Sequence, residues 1–426
     1  MEHGALYYAF LRWTKWSKRD GFLYKYLESK VPDYVLPPLL HQEDGASVEN
    51  DTDWLNKRKH EIISLLRQHE YGFSPEYSGN LKYKLLEEDS EALGGQAGRK
   101  HIGMYLHPEI EEWLMNLLIY LAKNMQSPAP FFVGLNFYGN QSTNPDPAIF
   151  MPKTWMRNKT EYGITNHSAT EASRGVRSYR WPYEYLISQG FGLATVYYGD
   201  ICPDRDDGLQ MGVNALYEEQ RSEEYPKSDW GAISAWAWGL SRAMDYFELD
   251  EDIDESNIAV MGHSRLGKTS LWAGAQDERF AYIIASGSGC GGAALSKRCF
   301  GETVKLINVR FPHWFCKKFH EYNENEASLP VDQHMLIAAN APRPVYISMA
   351  DRDLWADPKG MYLALVEADK VYKLFDQGGL PKHHKLQVDK EFHGTLGFHL
   401  RPGGHDVLKE DWEQYVTFVK THMLDK

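Results

Sequence analysis

The sequence predicts an α/β protein in which helices cover both faces of a mostly parallel sheet, as a three-layer α/β/α sandwich. Two observations lead to this prediction. Short apolar runs of roughly four to eight residues recur along the chain. Segments with the apolar spacing of helices lie between several of them. Parallel strands are buried on both faces, so they read as continuous apolar runs rather than as alternating ones.

The first 50 residues differ from the rest of the chain. Residues 1–50 are mixed in composition and broken by proline and glycine, and we interpret them as an N-terminal extension that packs on the domain or is partly mobile. From Asp53 to Tyr71 the apolar side chains recur at the spacing of one amphipathic helix. Length alone allows one large or two average domains, and we predict a single domain over residues 51–426.

The strands and helices of the sandwich follow in order after this helix. The predicted buried strands are 131–137, 194–198, 258–261, 282–286 and 344–349. Helices are predicted at 233–247, 268–275 and 410–422. Residues 140–190 are rich in Asn, Thr and Arg and contain few strand signals, which predicts long loops over the sheet.

Composition narrows the classes of function. The formal net charge is -13 at pH 7, and an acidic surface repels nucleic acid and anionic membranes. No stretch approaches the roughly 20 apolar residues that a membrane span needs. The four cysteines lack the spacing of a metal site and leave the disulfide state open; they are Cys202, Cys290, Cys299 and Cys316. We expect a monomer that binds neither nucleic acid nor membrane and uses no metal or cofactor.

The first residues of the chain are informative about the cellular compartment of the protein. The first ten residues contain an early acid, Glu2, and no long apolar core, which is unlike a signal peptide. A cytoplasmic protein fits this observation, and so does a secreted or periplasmic protein whose export signal was trimmed. The compartment therefore stays open.

The most informative stretch runs from Ile258 to Lys268. An apolar run ends at Gly262, Ser264 follows two residues later, and helical spacing resumes after Gly267. A strand, a tight turn with serine at its tip and a helix form the layout of a nucleophile elbow, which lifts the serine oxygen beside a helix N-terminus. The usual pattern is G-x-S-x-G, whereas here the second glycine comes one place later. A phosphate-binding turn or an ordinary strand–helix junction is the alternative.

An elbow serine needs an acid and a histidine, which follow it in that order on loops after later strands. The strand at 344–349 is followed by three aspartates. We prefer Asp353 to Asp351 as the acid, because a short turn after the strand would present it. Asp351 is otherwise a surface turn residue, and Asp357, which precedes Pro358, reads as a helix N-cap.

The candidate histidine is His405, which lies on a glycine-rich loop just before the final helix. His393 and His399 are rivals in what reads as the preceding loop. A histidine in this place takes the proton of the serine, and the carboxylate orients its ring. The run from Gly287 to Gly292 also fits G-x-G-x-x-G, but it neither opens the fold nor precedes an acid by about 20 residues. We interpret it as a turn under a binding cleft.

With these residues in place, the chain resembles the glucuronoyl esterases of carbohydrate esterase family 15. The resemblance spans roughly residue 50 to the C-terminus and rests on five motifs in order. They are the elbow at Gly262, His263, Ser264, Arg265, Gly267 and Lys268, then Ser288 to Ala294, Gly301-Glu302, Asp353 to Pro358, and Arg401 to Asp406. Residues 1–50 lie outside it.

The resemblance implies an α/β-hydrolase that cleaves the ester between 4-O-methyl-glucuronic acid of xylan and lignin alcohols. It implies that Arg265 supplements the oxyanion hole, where a cation favours the developing negative charge. It also implies that Lys268, Glu302 and Trp355 hold the hydroxyls of the uronic acid, to which a cation, a carboxylate and an indole N–H can all bond. In the ordinary alternative, Lys268 is a solvated lysine of the helix, Glu302 is a surface charge and Trp355 anchors its loop.

One departure from the family pattern bears on the acid. Many members place a catalytic Glu at the position of Gly287, so the acid here must come from the later loop, as in some bacterial relatives. This departure favours Asp353 as the acid, and two other functions remain as alternatives. An esterase for acetylated xylan shares the three catalytic groups but needs no sugar-binding set. A non-catalytic polysaccharide-binding relative would have no need to keep the serine, the histidine and the aspartate, which argues against this second alternative.

Overall fold

The computed structural model describes the chain over residues 26–75, 81–105, 114–123, 128–218, 229–377, 379–380 and 386–424. A ten-stranded sheet runs through the molecule in the order β1-β2-β3-β7-β4-β8-β9-β10-β12-β11. The strands are β1 (Lys82–Glu91), β2 (Ala97–Tyr105), β3 (Met115–Ala122), β4 (Ala129–Asn136), β5 (Ile164–Thr165), β6 (Ser168–Ala169), β7 (Gly192–Tyr197), β8 (Ile253–His263), β9 (Tyr282–Ser286), β10 (Val345–Ala350), β11 (Lys390–Phe392) and β12 (Leu396–Arg401). Strands β5 and β6 form a separate hairpin.

The centre of the sheet is parallel and its edges are antiparallel. Strands β7, β4, β8, β9, β10 and β12 pair in parallel. Strands β1, β2 and β3 join one side antiparallel, and β11 closes the other. The five predicted strands all lie in the parallel part, which confirms the mostly parallel α/β prediction for the region that carries the site.

The helices cover both faces of the sheet. They are α1 (residues 51–71), α2 (Tyr183–Ser188), α3 (Tyr198–Ile201), α4 (Val213–Glu218), α5 (Ala232–Phe247), α6 (Arg265–Gln276), α7 (Val304–Arg310), α8 (Gln333–Ala338), α9 (Pro358–Tyr372) and α10 (Lys409–Leu424). The predicted helices correspond to α1, α5, α6 and α10. Helix α1 is continuous, but it includes π-helical turns at Trp54–Arg58 and Arg67–Tyr71.

Alternate side chains of the central strands enter two separate cores. In β8, Ile258 and Val260 join the core that contains side chains of α5, α6 and α9. Ala259 and Met261 join the second core, which contains side chains of α2 and α10. Successive side chains of a strand point to opposite faces, so the two cores lie on the two sides of the sheet. This arrangement confirms the three-layer sandwich.

Two parts of the sheet were not predicted. Strands β1 to β3 are absent from the predicted order. Strand β1 is an exposed edge strand whose charged side chains hide its strand character. Its pairing with β2 decides its structure, and sequence periodicity does not reveal pairing. His399 was placed in a loop, but it lies within β12, where it pairs with Ser348 of β10.

The described part of the extension packs on the rest of the chain. Leu39 and Val48 belong to the larger core, and the carbonyl oxygen of Leu39 accepts a hydrogen bond from Arg58 of α1 at 3.1 Å. The boundary at residue 50 and the single domain after it stay predictions. Residues 1–25 lie outside the described part. Among the helices whose residues are described, none has the length and apolarity to cross a bilayer.

Candidate active site

Ser264 stands alone between the end of β8 and the start of α6. Its backbone has φ +59° and ψ -125°, which non-glycine residues seldom adopt and which costs conformational energy. Its N–H donates to the carbonyl oxygen of Ser286 at 2.8 Å, which ties the turn to the end of β9. The N–H groups of Gly267 and Lys268 donate to the carbonyl oxygen of Ser264 at 2.9 and 3.2 Å. The N–H groups before them at the start of α6 have no acceptor within the helix, so they are available to a negatively charged oxygen beside the serine.

The two glycines of the motif are explained by close backbone approaches. A Cβ atom at position 262 would lie 1.8 Å from the carbonyl oxygen of Leu266. A Cβ atom at position 267 would lie 3.1 Å from the carbonyl oxygens of both Gly262 and Ser286. The second glycine therefore stands where the helix meets two strands, and its shift by one place leaves the elbow intact.

Asp353 and His405 meet because their strands are parallel neighbours. Strands β10 and β12 run in register to the pair Ala350 and Arg401, so the loops that follow them begin side by side. Nδ1 of His405 lies 2.5 Å from Oδ2 of Asp353. Asp353 is buried, whereas about a third of the His405 side chain is exposed (30%). A buried carboxylate on Nδ1 leaves Nε2 of the ring as the nitrogen that can serve a nucleophile.

The rival aspartates have other partners. Asp351 accepts a hydrogen bond from the N–H of Gly403 at 2.8 Å, so it holds the loop that carries His405. Asp357 accepts from the N–H of Gly360 at 2.9 Å at the start of α9, as predicted for an N-cap. The carboxylate hydrogen-bonded to the His405 ring is that of Asp353, and its role as the acid stays a prediction.

The rival histidines also lie elsewhere. Nε2 of His399 is 2.7 Å from Oδ1 of Asp411 in α10, and the ring is buried. His393 stacks on the ring of Tyr346 with centroids 5.7 Å apart. Of the three histidines, His405 is the one that shares a pocket with Ser264.

Gly287 faces the pair formed by Asp353 and His405. A Cβ atom at this position would lie 3.3 Å from Nδ1 of His405 and 3.5 Å from Oδ2 of Asp353. A longer acidic side chain here would compete for the same ring nitrogen. The glycine therefore leaves that place to Asp353, as the sequence predicts. Its φ of +51° also fits a glycine-rich turn under the cleft.

An open cleft of about 430 Å³ adjoins the serine. Six of the seven predicted site residues line it, and the seventh, Asp353, lies behind His405. The cleft is lined by Tyr26, Ser264, Arg265, Lys268, Gly287, Ser288, Gly289, Glu302, Arg310, Phe311, Trp314, Trp355, Ala356 and His405.

Three polar side chains form one wall of the cleft. Lys268 is buried and its Nζ donates to the carbonyl oxygen of Ser288 at 2.5 Å. The same Nζ lies 3.7 Å from Oε2 of Glu302. Burial lowers the pKa of the Lys268 ammonium and raises the pKa of the Glu302 carboxyl, whereas their mutual attraction opposes both shifts. The N–H of Glu302 donates to the carbonyl oxygen of Trp355 at 3.0 Å, which joins the third member.

Arg265 also lines the cleft and is fixed by a carboxylate. Its Nη1 forms an ion pair with the buried Asp204, and its guanidinium lies 4.5 Å from the centroid of the Trp314 ring. Burial would raise the pKa of the Asp204 carboxyl, but Arg265 and the other donors outweigh burial and hold that pKa well below its usual range. The other donors within 3.0 Å are Tyr198, His313 and Trp314.

Sequence reasoning missed Asp204 and the position of His263. Asp204 lies in a run of charged residues that reads as a surface turn, and no local pattern marks it as buried. The ring of His263 packs on that of His405 with centroids 4.4 Å apart, and its Nδ1 lies 3.2 Å from Oγ of Ser286. Burial and then the neighbouring His405 hold the pKa of His263 well below its usual range, so its ring stays neutral.

No metal or disulfide takes part among the residues that the structure describes. Within those ranges, no group of three or more His, Cys, Asp or Glu side chains is arranged to hold a metal ion. None of the four cysteines, all of which lie in the described ranges, forms a disulfide.

Comparisons with known proteins agree with this geometry. A family model described as "Glucuronyl esterase, fungi" matches residues 207–376. Carbohydrate esterase MZ0003 from an unknown prokaryotic organism is 47% identical over 400 residues, or 94% of this chain and 92% of the relative. The solved structure of a promiscuous CE15 esterase from a marine bacterial metagenome covers 94% of this chain and 100% of its own, with TM-score 0.88 and 47% identity. This chain belongs to carbohydrate esterase family 15.

A further relative extends the comparison within carbohydrate esterase family 15. The glucuronoyl esterase from Solibacter usitatus covers 92% of this chain and 99% of its own, with TM-score 0.85 and 39% identity. The family 15 chain therefore has the α/β-hydrolase fold and is a carboxylic ester hydrolase of the glucuronoyl esterase family. The comparisons do not name site residues, so the roles of the seven side chains stay predictions.

The elbow gives a prediction about stability. Gly262→Ala is expected to lower the free energy of unfolding by about 3 kcal/mol and to reduce esterase activity, because the added Cβ overlaps the Leu266 carbonyl oxygen. Gly98→Ala is the matched control, since its Cβ would meet no atom closer than 3.9 Å. Thermal unfolding and ester hydrolysis measure both. A Gly262→Ala variant with wild-type stability and turnover would contradict the close approach.

The serine gives a prediction about turnover. Ser264→Ala is expected to lower kcat by several orders of magnitude, about 10^6 in a well-studied serine hydrolase. Its melting temperature should stay near that of the wild type, because the change removes one oxygen and keeps the Cβ. Steady-state hydrolysis, with active-site titration to exclude wild-type contamination, is the measurement. Near-normal turnover would end the serine mechanism.

The two aspartates give a paired prediction. Asp353→Asn is expected to lower kcat by about 10^4, because an amide stabilises the imidazolium poorly and favours the wrong tautomer. Asp351→Asn should change kcat little, since the amide oxygen can still accept from the Gly403 N–H. Each variant serves as the control for the other. If Asp351→Asn loses the activity instead, the assignment of the acid is wrong.

Proposed function

We propose that this enzyme hydrolyses esters of 4-O-methyl-glucuronic acid on xylan with lignin alcohols. The observation that carries the proposal is the polar wall beside Ser264, where Lys268, Glu302 and Trp355 face one cleft. An acyl group that is a ring with several hydroxyls can bond to such a wall, whereas an acetyl group offers it no hydrogen-bonding partner.

The proposed reaction begins when His405 takes the proton of Ser264 and the serine oxygen attacks the ester carbonyl. Asp353 stabilises the imidazolium that forms. The first N–H groups of α6 and the Arg265 guanidinium stabilise the negative oxygen of the tetrahedral intermediate. The alcohol leaves with the proton from His405. Water then attacks the carbonyl of the acyl-enzyme, and His405 takes a proton from this water. His405 returns the proton to the oxygen of Ser264, which releases the uronic acid and restores the serine.

Asp204 supports this reaction by keeping Arg265 in place. A guanidinium that is already paired and stacked loses little freedom when the oxyanion forms, so its contribution is preorganised. The buried pair also holds the positive charge of Arg265 at the cleft without leaving an uncompensated buried cation. In this proposal Asp204 is a positioning residue, while Arg265 contacts the reacting oxygen.

Relatives support the choice of substrate. A protein from Wolfiporia cocos named 4-O-methyl-glucuronoyl methylesterase 1 is 33% identical over 246 residues, which cover 54% of this chain and 57% of that protein. The relative of 47% identity is described as promiscuous. That word favours hydrolysis of acetylated xylan or other carbohydrate esters as the second candidate. A purely binding role is less favoured, because serine, histidine and aspartate come together at one cleft.

The sugar wall gives the prediction that tests this choice. Lys268→Ala is expected to lower kcat/KM for benzyl glucuronate by about ten- to a hundredfold, the equivalent of a lost hydrogen bond to a charged donor of roughly 1.5–3 kcal/mol. Trp355→Ala should act in the same direction. Hydrolysis of p-nitrophenyl acetate should change little, because the acetyl group has no hydroxyls for the wall to hold.

Lys409→Ala is the control for Lys268→Ala, because Lys409 is an exposed lysine of α10 away from the cleft. It should leave both substrates unchanged. Equal losses on both esters for Lys268→Ala would mean that the lysine supports the fold or the triad. Efficient cleavage of acetyl esters with none of glucuronate esters would favour the second candidate. Gel filtration tests the separate expectation of a monomer.

A further inference from the structure

The N-terminal arm, which we define as residues 26–30, reaches the candidate active site. Tyr26 lines the same cleft as Ser264. Its ring meets the ring of Phe300 edge-on, with centroids 6.2 Å apart and planes at 90°. Phe300 lies two residues before Glu302. Tyr26 therefore stands on the side of the cleft that carries the polar sugar wall.

A carboxylate clamps the arm at this place. Oε1 of Glu28 accepts from Nη2 of Arg298 at 2.8 Å, and its Oε2 accepts from Nζ of Lys359 at 2.6 Å. Arg298 is buried, and its Nε donates to Asp357 at 2.9 Å. A cation that is already fixed by burial and by a second carboxylate gives the arm a defined docking point, unlike a pair of two exposed side chains.

The clamp joins the arm to both segments that carry the sugar wall. Arg298 lies four residues before Glu302, and Asp357 lies two residues after Trp355. A 3-10 turn at Glu28–Lys30 begins two residues after Tyr26. The position of the Tyr26 ring is thus set by the same loops that set the wall. These links connect a segment outside every family motif to the substrate cleft.

We infer that Tyr26 is a specificity-determining residue for the sugar and that the N-terminal arm completes the wall of the uronic acid subsite. The inference rests on the proposed function and deepens it. A tyrosine ring offers an apolar face to the C–H groups of a sugar, and the Tyr26 ring lines the cleft. Trp355 provides the other aromatic surface of this wall, and the Arg310 guanidinium lies 5.1 Å from its ring centroid.

The test compares the glucuronate ester with the acetate ester in the full chain. Tyr26→Ala should raise KM for benzyl glucuronate about tenfold with little change in kcat, and it should leave p-nitrophenyl acetate hydrolysis within about twofold. Glu28→Gln should raise the same KM, because it releases the clamp. The double variant should match Tyr26→Ala, since Glu28 acts through Tyr26. Lys30→Gln, an exposed residue of the same arm, is the matched control and should change nothing.

The dependence of KM on ionic strength is a second measurement, which would not change if Glu28 had a merely structural role. In the wild type, KM for the uncharged benzyl glucuronate should rise with ionic strength, because salt weakens the partly exposed pair between Glu28 and Lys359. In Tyr26→Ala this dependence should disappear. Equal losses on both esters, or no loss on either, would overturn the inference.

The failure of the inference can be separated from the failure of the proposed function. If the wild type does not cleave benzyl glucuronate, the proposed function fails and the inference falls with it. If the wild type cleaves it and Lys268→Ala is selective while Tyr26→Ala is not, the inference alone is overturned. Glu28→Gln keeps the test decisive if Tyr26→Ala does not fold.

Discussion

The close approach of β8 to the first turn of α6 is the contact on which the site depends. A missing side chain at Gly262 lets the carbonyl oxygen of Leu266 come where a Cβ atom would stand. The approach forces Ser264 into a strained conformation at the tip of the turn. The hydrogen bond from Ser264 to Ser286 then fixes the tip against β9. The strain is held by the surrounding backbone, and the serine is presented to the cleft as a result.

Parallel register places the remaining catalytic candidates around that serine. Strands β8, β9, β10 and β12 are neighbours in one sheet and end at the same edge. The loops after them therefore carry Ser264, Gly287, Asp353 and His405 to one place, although 141 positions separate the serine from the histidine in the chain. Asp351 contributes from the same loop by holding Gly403. The sheet therefore positions these residues, and the loops that carry them need little regular structure of their own.

Buried charge gives the cleft its chemical character. Two cations of α6, Arg265 and Lys268, enter the cleft from one helix turn, and each has a carboxylate within ion-pair distance. Without Asp204 and Glu302 the burial of these cations would be costly. The pairs keep the cations in place while hydrogen-bonding capacity remains for a polar substrate. Arg265 with Asp204 and Lys268 with Glu302 thus form two ion pairs beside one cleft.

The sequence by itself determined the features that depend on local pattern. The elbow needs a strand, two glycines and a serine within a few residues, so Ser264 and the parallel core could be predicted. The order of acid and histidine is likewise a property of the chain, and Asp353 and His405 do meet. The motif residues Lys268, Glu302 and Trp355 also line one cleft. Local sequence patterns carry the information on the elbow and the strands, and the family resemblance carries that on Lys268, Glu302 and Trp355.

Only the tertiary structure decided the rest, because it depends on contacts between distant residues. Strand β1 is identified by its partners and not by its own charged sequence. The anchor of Arg265 at Asp204 joins positions 61 residues apart. The arm at Tyr26 meets the cleft through Glu28 and Arg298, 270 residues apart. Pairing across such separations is set by the sheet and by the burial of opposite charges, neither of which leaves a periodic trace in the sequence.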